Sequence, residues 1–240
     1  MSRIVTSLGT SIPTRPLLTW AQETGDTLAR PGHSVTIIGP SSVMREYSAR
    51  RLKGEDPDVA ARIRLVGGSG ELASDVVGNR NSAAVLNNGV LPYTKNPGPI
   101  IASLYCLAAS DGIVSIMAKG RPALSIMAAD NGRWRELLDL CDADRVVNNL
   151  GVINRADTVE ELGDVVGELG GRVEGWYGVT FFTQEDSTPR DAISDDEYEA
   201  IGAVDLEASQ RDPFRQLSNM CHLVARHGSE MAGLTPGKAS

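Results

Sequence analysis

Arg3-Ile4-Val5-Thr6-Ser7-Leu8-Gly9-Thr10-Ser11 and, further along, Ser34-Val35-Thr36-Ile37-Ile38-Gly39-Pro40 decide the fold. Each is a short run rich in β-branched residues that ends in small turn residues. Apolar character that hardly alternates marks a strand covered on both faces, as in parallel sheets. Between them, Pro16 suits the first turn of a helix through Leu17, Leu18, Ala21 and Leu28, and Pro31-Gly32 stops it. Strand, helix, strand in this order predicts a three-layer, doubly wound, Rossmann-like α/β domain with a mainly parallel sheet.

The pattern continues outward. Ser41–Leu52 reads as a polar, arginine-bearing helix, Ile63–Val66 as a short strand before Gly67-Gly68-Ser69-Gly70, and Val85–Leu91 as another strand. Glu71–Asn88 as a whole has no decisive period. Ile100–Ala118, the most apolar segment, is either one buried helix or a helix followed by a strand at Gly112–Ile116. Ala123–Ala128 reads as a strand, with Ala123–Met127 central in the sheet beside Ile4–Leu8 and Val35–Ile38. Arg133–Cys141 is an amphipathic helix and Arg145–Val147 a short strand. Asp157–Leu169 is a helix, with Thr158 and Glu161 spaced as a capping box and Gly170-Gly171 closing it. The tail changes character: aromatic, strand-like Trp176–Phe182, an acidic loop, then helices near Asp195–Ser209 and Pro213–His227. The expected organisation is a Rossmann-like domain over 1–175 and a C-terminal strand and helical extension over 176–240, packing on the domain or on a partner subunit.

Composition narrows the function. The chain has 240 residues, 41% hydrophobic and 22% charged, with a net charge of −8. Such a chain can bury a core, and its acidity argues against coating nucleic acid or an anionic membrane. No apolar run is long enough to span a bilayer, and the start carries no signal-peptide pattern. Cys106, Cys141 and Cys221 are odd in number and form no C-x-x-C pair, so buried thiols in a reducing cytoplasm are expected. His222 and His227, five apart on the expected last helix, do not share a face well, and no metal site is expected.

Several constellations bear on chemistry. Gly9, Thr10 and Ser11 follow the first strand, where backbone N–H groups and a helix start can meet an anion; a tight strand-to-helix turn explains them equally. Gly67-Gly68-Ser69-Gly70 is a connector first and an anion cradle second. In Asn87-Asn88-Gly89 and the loop Pro92–Gly98, Tyr93 can stack on a flat ring and Lys95 can meet a phosphate; a rigid surface loop explains the prolines as well. Asp130 and Asn131 directly follow the expected strand, where polar side chains face a ligand crevice, or they cap the next helix. There is no G-x-S-x-G elbow.

The order of these pieces over Arg3–Leu169 resembles the nucleotide-sugar-binding half of GT-B glycosyltransferases. Ile4-Val5-Thr6-Ser7-Leu8-Gly9-Thr10-Ser11 is similar to the opening strand and turn of that half. The segment from Asn96-Pro97-Gly98 through Ser110-Asp111-Gly112-Ile113-Val114-Ser115 to Ala118-Lys119-Gly120-Arg121-Pro122 resembles its later helix and strand, and Ala129-Asp130-Asn131-Gly132 the loop after it. The resemblance implies glycosyl transfer from a nucleotide-sugar substrate, with Gly9, Thr10 and Ser11 at the diphosphate and Asp130 and Asn131 near the sugar, Asp130 in the catalytic role. Ser115 falls where the family commonly places a ribose-binding Glu, and the acceptor half is absent. A half-sized cleft implies a homo-oligomer or a partner subunit. Two further functions remain open: a Rossmann-like enzyme of another class, acting on a nucleotide or phosphorylated small molecule, and a non-catalytic oligomeric binding module.

Overall fold

In a computed structural model, described over residues 2–7, 24–78, 81–130, 132–147, 151–182 and 194–227, the chain builds one seven-stranded sheet with helices on both faces. The strands are β1 (Arg3–Ser7), β2 (Ser34–Gly39), β3 (Ile63–Gly67), β4 (Ser82–Asn88) and β5 (Ala108–Lys119), then β6 (Arg145–Val147) and β7 (Ile153–Arg155), and finally β8 (Gly171–Val179) and β9 (Met220–His227). The sheet order is β3-β2-β1-β4-β5-β9-β8, while β6 and β7 pair separately. β1 to β5 are parallel, and β9 runs antiparallel between β5 and β8. The predicted mainly parallel α/β architecture is therefore present.

The near-continuous apolar strands are explained by two cores, one on each face. Val5, Ile38, Val85, Val114 and Ile116 point into the larger core, with Ile100, Ile101 and Leu104 and with Leu162 and Val166 opposite them. Their neighbours Ile4, Val35 and Ile37 point the other way, toward Ala29, Met44 and Val59. Successive side chains of a strand alternate faces, so only a strand covered twice needs apolar residues at every position.

The helices follow local signals. Helix α1, described over residues 24–29, stops before Gly32, whose φ of 103° a side chain would strain. In α2 (Ser42–Leu52) the Ser41 hydroxyl accepts from the Met44 N–H, and α3 (Pro57–Ala60) begins on Asp56. A short α4 (Ala73–Val77) precedes α5 (Gly98–Leu107), which passes straight into β5, so Ile100–Ala118 is helix then strand. In α8 (Val159–Glu168) Thr158 and Glu161 form the capping box the sequence predicts.

Two segments differ from the sequence expectations. Ala123–Met127 is not a strand but the middle of α6 (Pro122–Asp130). Ala, Leu and Met favour helix, Pro122 suits a first turn, and no place beside β5 remains, since β4 and β9 flank it. Leu124 and Ala128, one turn apart, pack on Leu140 of α7 (Leu137–Cys141) and on Ala156. The second correction is the tail. After α9 (Asp195–Ala208) and α10 (Phe214–Leu217), the expected last helix is β9, with Cys221, Leu223 and Ala225 alternating into the larger core. β8 runs past residue 175, with a register irregularity against β9 between Val173 and Gly175, and the chain after it supplies part of the same sheet. Among the described residues, no helix is long and apolar enough to cross a membrane.

The three thiols differ. Cys221 is buried and pushed up to about 12 by its burial, Cys106 is half-buried, and Cys141 is exposed, against the expectation that all three are buried. Thiolates, not thiols, are alkylated. Iodoacetamide is expected to label Cys141 in the folded protein and Cys221 only after unfolding, with peptide mass spectrometry as the readout. Labelling of Cys221 at native-state rates equal to Cys141 would contradict its placement.

Candidate functional site

A cleft of about 520 Å³ opens at the carboxyl edge of the sheet. Thr24, Thr27 and Leu28 of α1 form one wall, and Asn88 at the end of β4, Met117 near the end of β5, Val179 at the end of β8 and the following Thr180 form the others. Open α/β sheets bind ligands at this edge, outside the carboxyl ends of their strands, and the volume lies in the range of small-molecule sites, about 300–1,000 Å³.

The cleft is lined by oxygen-bearing neutral groups and apolar ones, with no charged side chain among its described residues. Asn88 Nδ2 donates to Thr24 Oγ1 at 3.3 Å, tying the end of β4 to α1. Thr180 is held at φ 58°, a left-handed conformation that is costly for a β-branched residue, with its hydroxyl donating to the Val179 carbonyl at 2.7 Å. Directly after it, Phe181 and Phe182 cluster with Phe214 of α10 at centroid distances of 4.6 to 5.8 Å, and Phe182 is 52% exposed.

Next to the cleft, β5, β9 and β8 carry a polar row. Ser115 Oγ lies 2.8 Å from His222 Nε2, and the His222 ring tilts against Tyr177 at 6.1 Å. Met117 and Tyr177 are the register partners of His222 on either side. Directly opposed residues of an antiparallel pair share a face, so the pair lies on the face that supplies Met117 to the cleft. Burial holds the imidazole below its ordinary pKa of 6.5, so it is neutral at pH 7.

At the ends of β2 and β3, Arg45 donates from Nη1 to the Gly39 carbonyl at 2.6 Å, and its guanidinium lies where a side chain on Gly67 would sit, 3.1 Å from that position. Gly68 is pressed against Val76 in the same way. Close packing thus accounts for these two glycines. No carboxylate among the described residues pairs with Arg45.

Among the described residues, those singled out as site candidates do not line the cleft. Gly9, Thr10, Ser11 and Asn131 lie outside the described residues. Asp130 is exposed at the last position of α6 rather than at a strand end. Tyr93 closes a 3₁₀ turn, Leu91–Tyr93, and Lys95 is exposed, its carbonyl accepting from Arg145 Nη2 at 3.1 Å. Ser115 sits within β5, bonded to His222. Of the cleft residues, only Asn88 stood in a sequence constellation; the threonines, Met117 and Val179 carry no local signal. His222, expected on a helix, lies on β9.

No family model and no curated protein matches the sequence. Solved structures do match in fold. A SAM-dependent methyltransferase from Methanosarcina mazei superposes with a TM-score of 0.57 at 9% identity, over 94% of this chain and 92% of its own. The CcbJ methyltransferase from Streptomyces caelestis gives 0.57 at 11% identity, over 95% and 84%. The glycopeptide N-methyltransferase MtfA gives 0.55 at 11%, over 95% and 89%. At such identities the likeness is one of fold. It overturns the resemblance to GT-B glycosyltransferases: the neighbours are Rossmann-like methyltransferases. The order of the early βα units, common to many doubly wound folds, misled that comparison. The likeness supports the Rossmann-like architecture expected from the sequence.

Proposed function

We propose that this chain is an S-adenosylmethionine-dependent methyltransferase acting on a small acceptor in the cleft beside α1, β4, β5 and β8. The observation that supports this is the coincidence of two features. The SAM-dependent methyltransferase from Methanosarcina mazei and the CcbJ methyltransferase share the fold over nearly the whole chain, and the uncharged, oxygen-lined cleft lies at the sheet edge where such folds take their ligands.

The residues present suit the donor's sulfonium end. A sulfonium is cationic, and Thr24, Thr27, Asn88 and Thr180 offer oxygen dipoles with no Lys or Arg among the cleft's described lining. Met117 and Leu28 provide apolar surface for a methyl group. Toward the adenosine end the chemistry is unusual. Rossmann-type sheets commonly present a carboxylate to a ribose hydroxyl, and here the end of β2 presents Gly39 with the Arg45 guanidinium across it. A ribose there would accept hydrogen bonds from Arg45 rather than donate them. When bound, the donor supplies an electrophilic methyl group. The protein's share is to orient the acceptor, exclude water and receive a proton.

Calorimetry and thermal unfolding with S-adenosylhomocysteine, a UDP-sugar and NAD test the assignment. S-adenosylhomocysteine at about a hundred times its Kd is expected to add about 2.7 kcal/mol of stability, and the other two none. A shift with the UDP-sugar or NAD, and none with S-adenosylhomocysteine, would reject it.

A further inference from the structure

The Ser115–His222 pair, its serine buried and its imidazole half-buried, is a polar feature on two strands that turn apolar side chains to the opposite face. On that opposite face β5 presents Val114, Ile116 and Ala118, and β9 presents Cys221, Leu223 and Ala225, all within the larger core. On the near face the same strands place Ser115, Met117 and His222, with Tyr177 of β8 alongside. Packing a hydroxyl and an imidazole here costs desolvation that an apolar pair would not, while Met117, beside both, lines the cleft.

We propose that the Ser115–His222 pair is the proton acceptor for the group that is methylated, with the proton arriving at His222 Nε2 by way of Ser115 Oγ. This rests on the methyltransferase assignment above and names the acceptor class: a nitrogen or oxygen that carries a hydrogen.

The chemistry balances. With its hydrogen on Nδ1, the neutral imidazole accepts the Ser115 O–H at Nε2. As the acceptor atom forms its bond to the methyl carbon, the carbon–sulfur bond of a sulfonium donor breaks and its electron pair stays on sulfur. The acceptor's proton passes to Ser115 Oγ while the Ser115 proton passes to Nε2. The products are a thioether, the methylated acceptor and an imidazolium, which returns its proton to water.

The surroundings keep the imidazole able to accept. The ionisable groups on the elements around it are Tyr177, Glu174 and Arg172 of β8, Lys119 and Asp111 of β5, Cys221, Arg226 and His227 of its own strand and Asp26 of α1. Arg226 is turned to Glu174 at 3.0 Å and to the Asp111 carbonyl. Burial is the cause of the shift. A folded pKa below the unfolded value means the unfolded chain binds the proton more readily, so this group's contribution to stability is lost as pH falls below about 6.5.

The test pairs NMR of the His222 ring with methyl transfer from labelled S-adenosylmethionine to a panel of small phenols, amines and imidazoles. The ring is expected to titrate below 6.5 and its resonance to move when S-adenosylhomocysteine saturates the protein. His222→Gln is expected to lower kcat by about a hundredfold or more, to leave KM for the donor within about threefold, and to remove the acid limb of the pH profile. Ser115→Ala should share the kcat loss, and Tyr177→Phe should not. A His222→Gln protein with wild-type kcat and pH profile overturns the proposal alone. So does an unmoved His222 resonance at saturation when no panel member is methylated. Failure of the wild-type chain both to bind S-adenosylhomocysteine and to transfer methyl overturns the methyltransferase assignment, and the pair's role with it.

Discussion

Leu223→Ala is expected to lower the free energy of unfolding by about 4 kcal/mol, near the top of the range for a fully buried leucine. Leu223 is 0% exposed and sits in β9 with Ile116 on one side and Trp176 on the other as register partners. Its side chain points into the larger core, between strands bonded on both edges. A cavity there cannot close by moving a surface element, because β5 and β8 fix β9 in place. Leu206 of α9, 66% exposed, is the control, and Leu206→Ala should change stability by less than about 0.5 kcal/mol. Urea unfolding with an unchanged m-value reads both. A Leu223→Ala loss below about 1 kcal/mol would mean that residues 220–227 are not an interior strand.

The second large effect concerns how α10 is seated. A Cβ at Gly178 would meet Arg215 Cα at 2.5 Å, the Arg215 carbonyl oxygen at 2.8 Å and the Ser218 hydroxyl. Two of those atoms are backbone, so relief requires α10 to move away from β8. Gly178→Ala is therefore expected to cost about 3 kcal/mol. It should also loosen the Arg215 guanidinium, now 4.4 Å from the centroid of the Trp176 ring, which tryptophan fluorescence would register. By contrast, a Cβ at Gly202 on α9 meets nothing within 4 Å, and Gly202→Ala should stabilise by about 0.5–1 kcal/mol through helix propensity. Equal melting temperatures for the two variants would show that α10 does not rest on Gly178.

Where Rossmann-type sheets commonly present a carboxylate to a ribose, the end of β2 here carries Gly39, whose carbonyl accepts from Arg45 Nη1. The same guanidinium covers the space a side chain at Gly67 would take. Arg45 and Gly67 are therefore coupled by packing.

The sequence by itself determined the elements whose signals are local. Val35–Ile38 and Ile63–Val66 could be read as strands because β-branched runs bounded by glycine and proline fit little else. The Thr158–Glu161 capping box is a contact between neighbours in the chain, so spacing alone revealed it. Asn88 is visible in the sequence as part of Asn87-Asn88-Gly89 within the expected strand Val85–Leu91, whereas β4 ends on it. Ala123–Met127 and Met220–His227 were not legible, because a short apolar run bounded by turn residues has no period that separates a buried strand from a helix. Only the tertiary structure decided them: the slot between β5 and β8 has unpaired backbone groups that a strand satisfies, whereas the surface beside Leu140 and Ala156 asks only for apolar area, which a helix provides. The cleft lay beyond local reading for the same reason. Thr24, Asn88, Met117 and Thr180 are far apart in sequence, and a threonine or methionine acquires meaning as a lining residue only when four separate segments end at one sheet edge. The pairing of Ser115 with His222 depended on β9 entering antiparallel in one register, which no local period specifies.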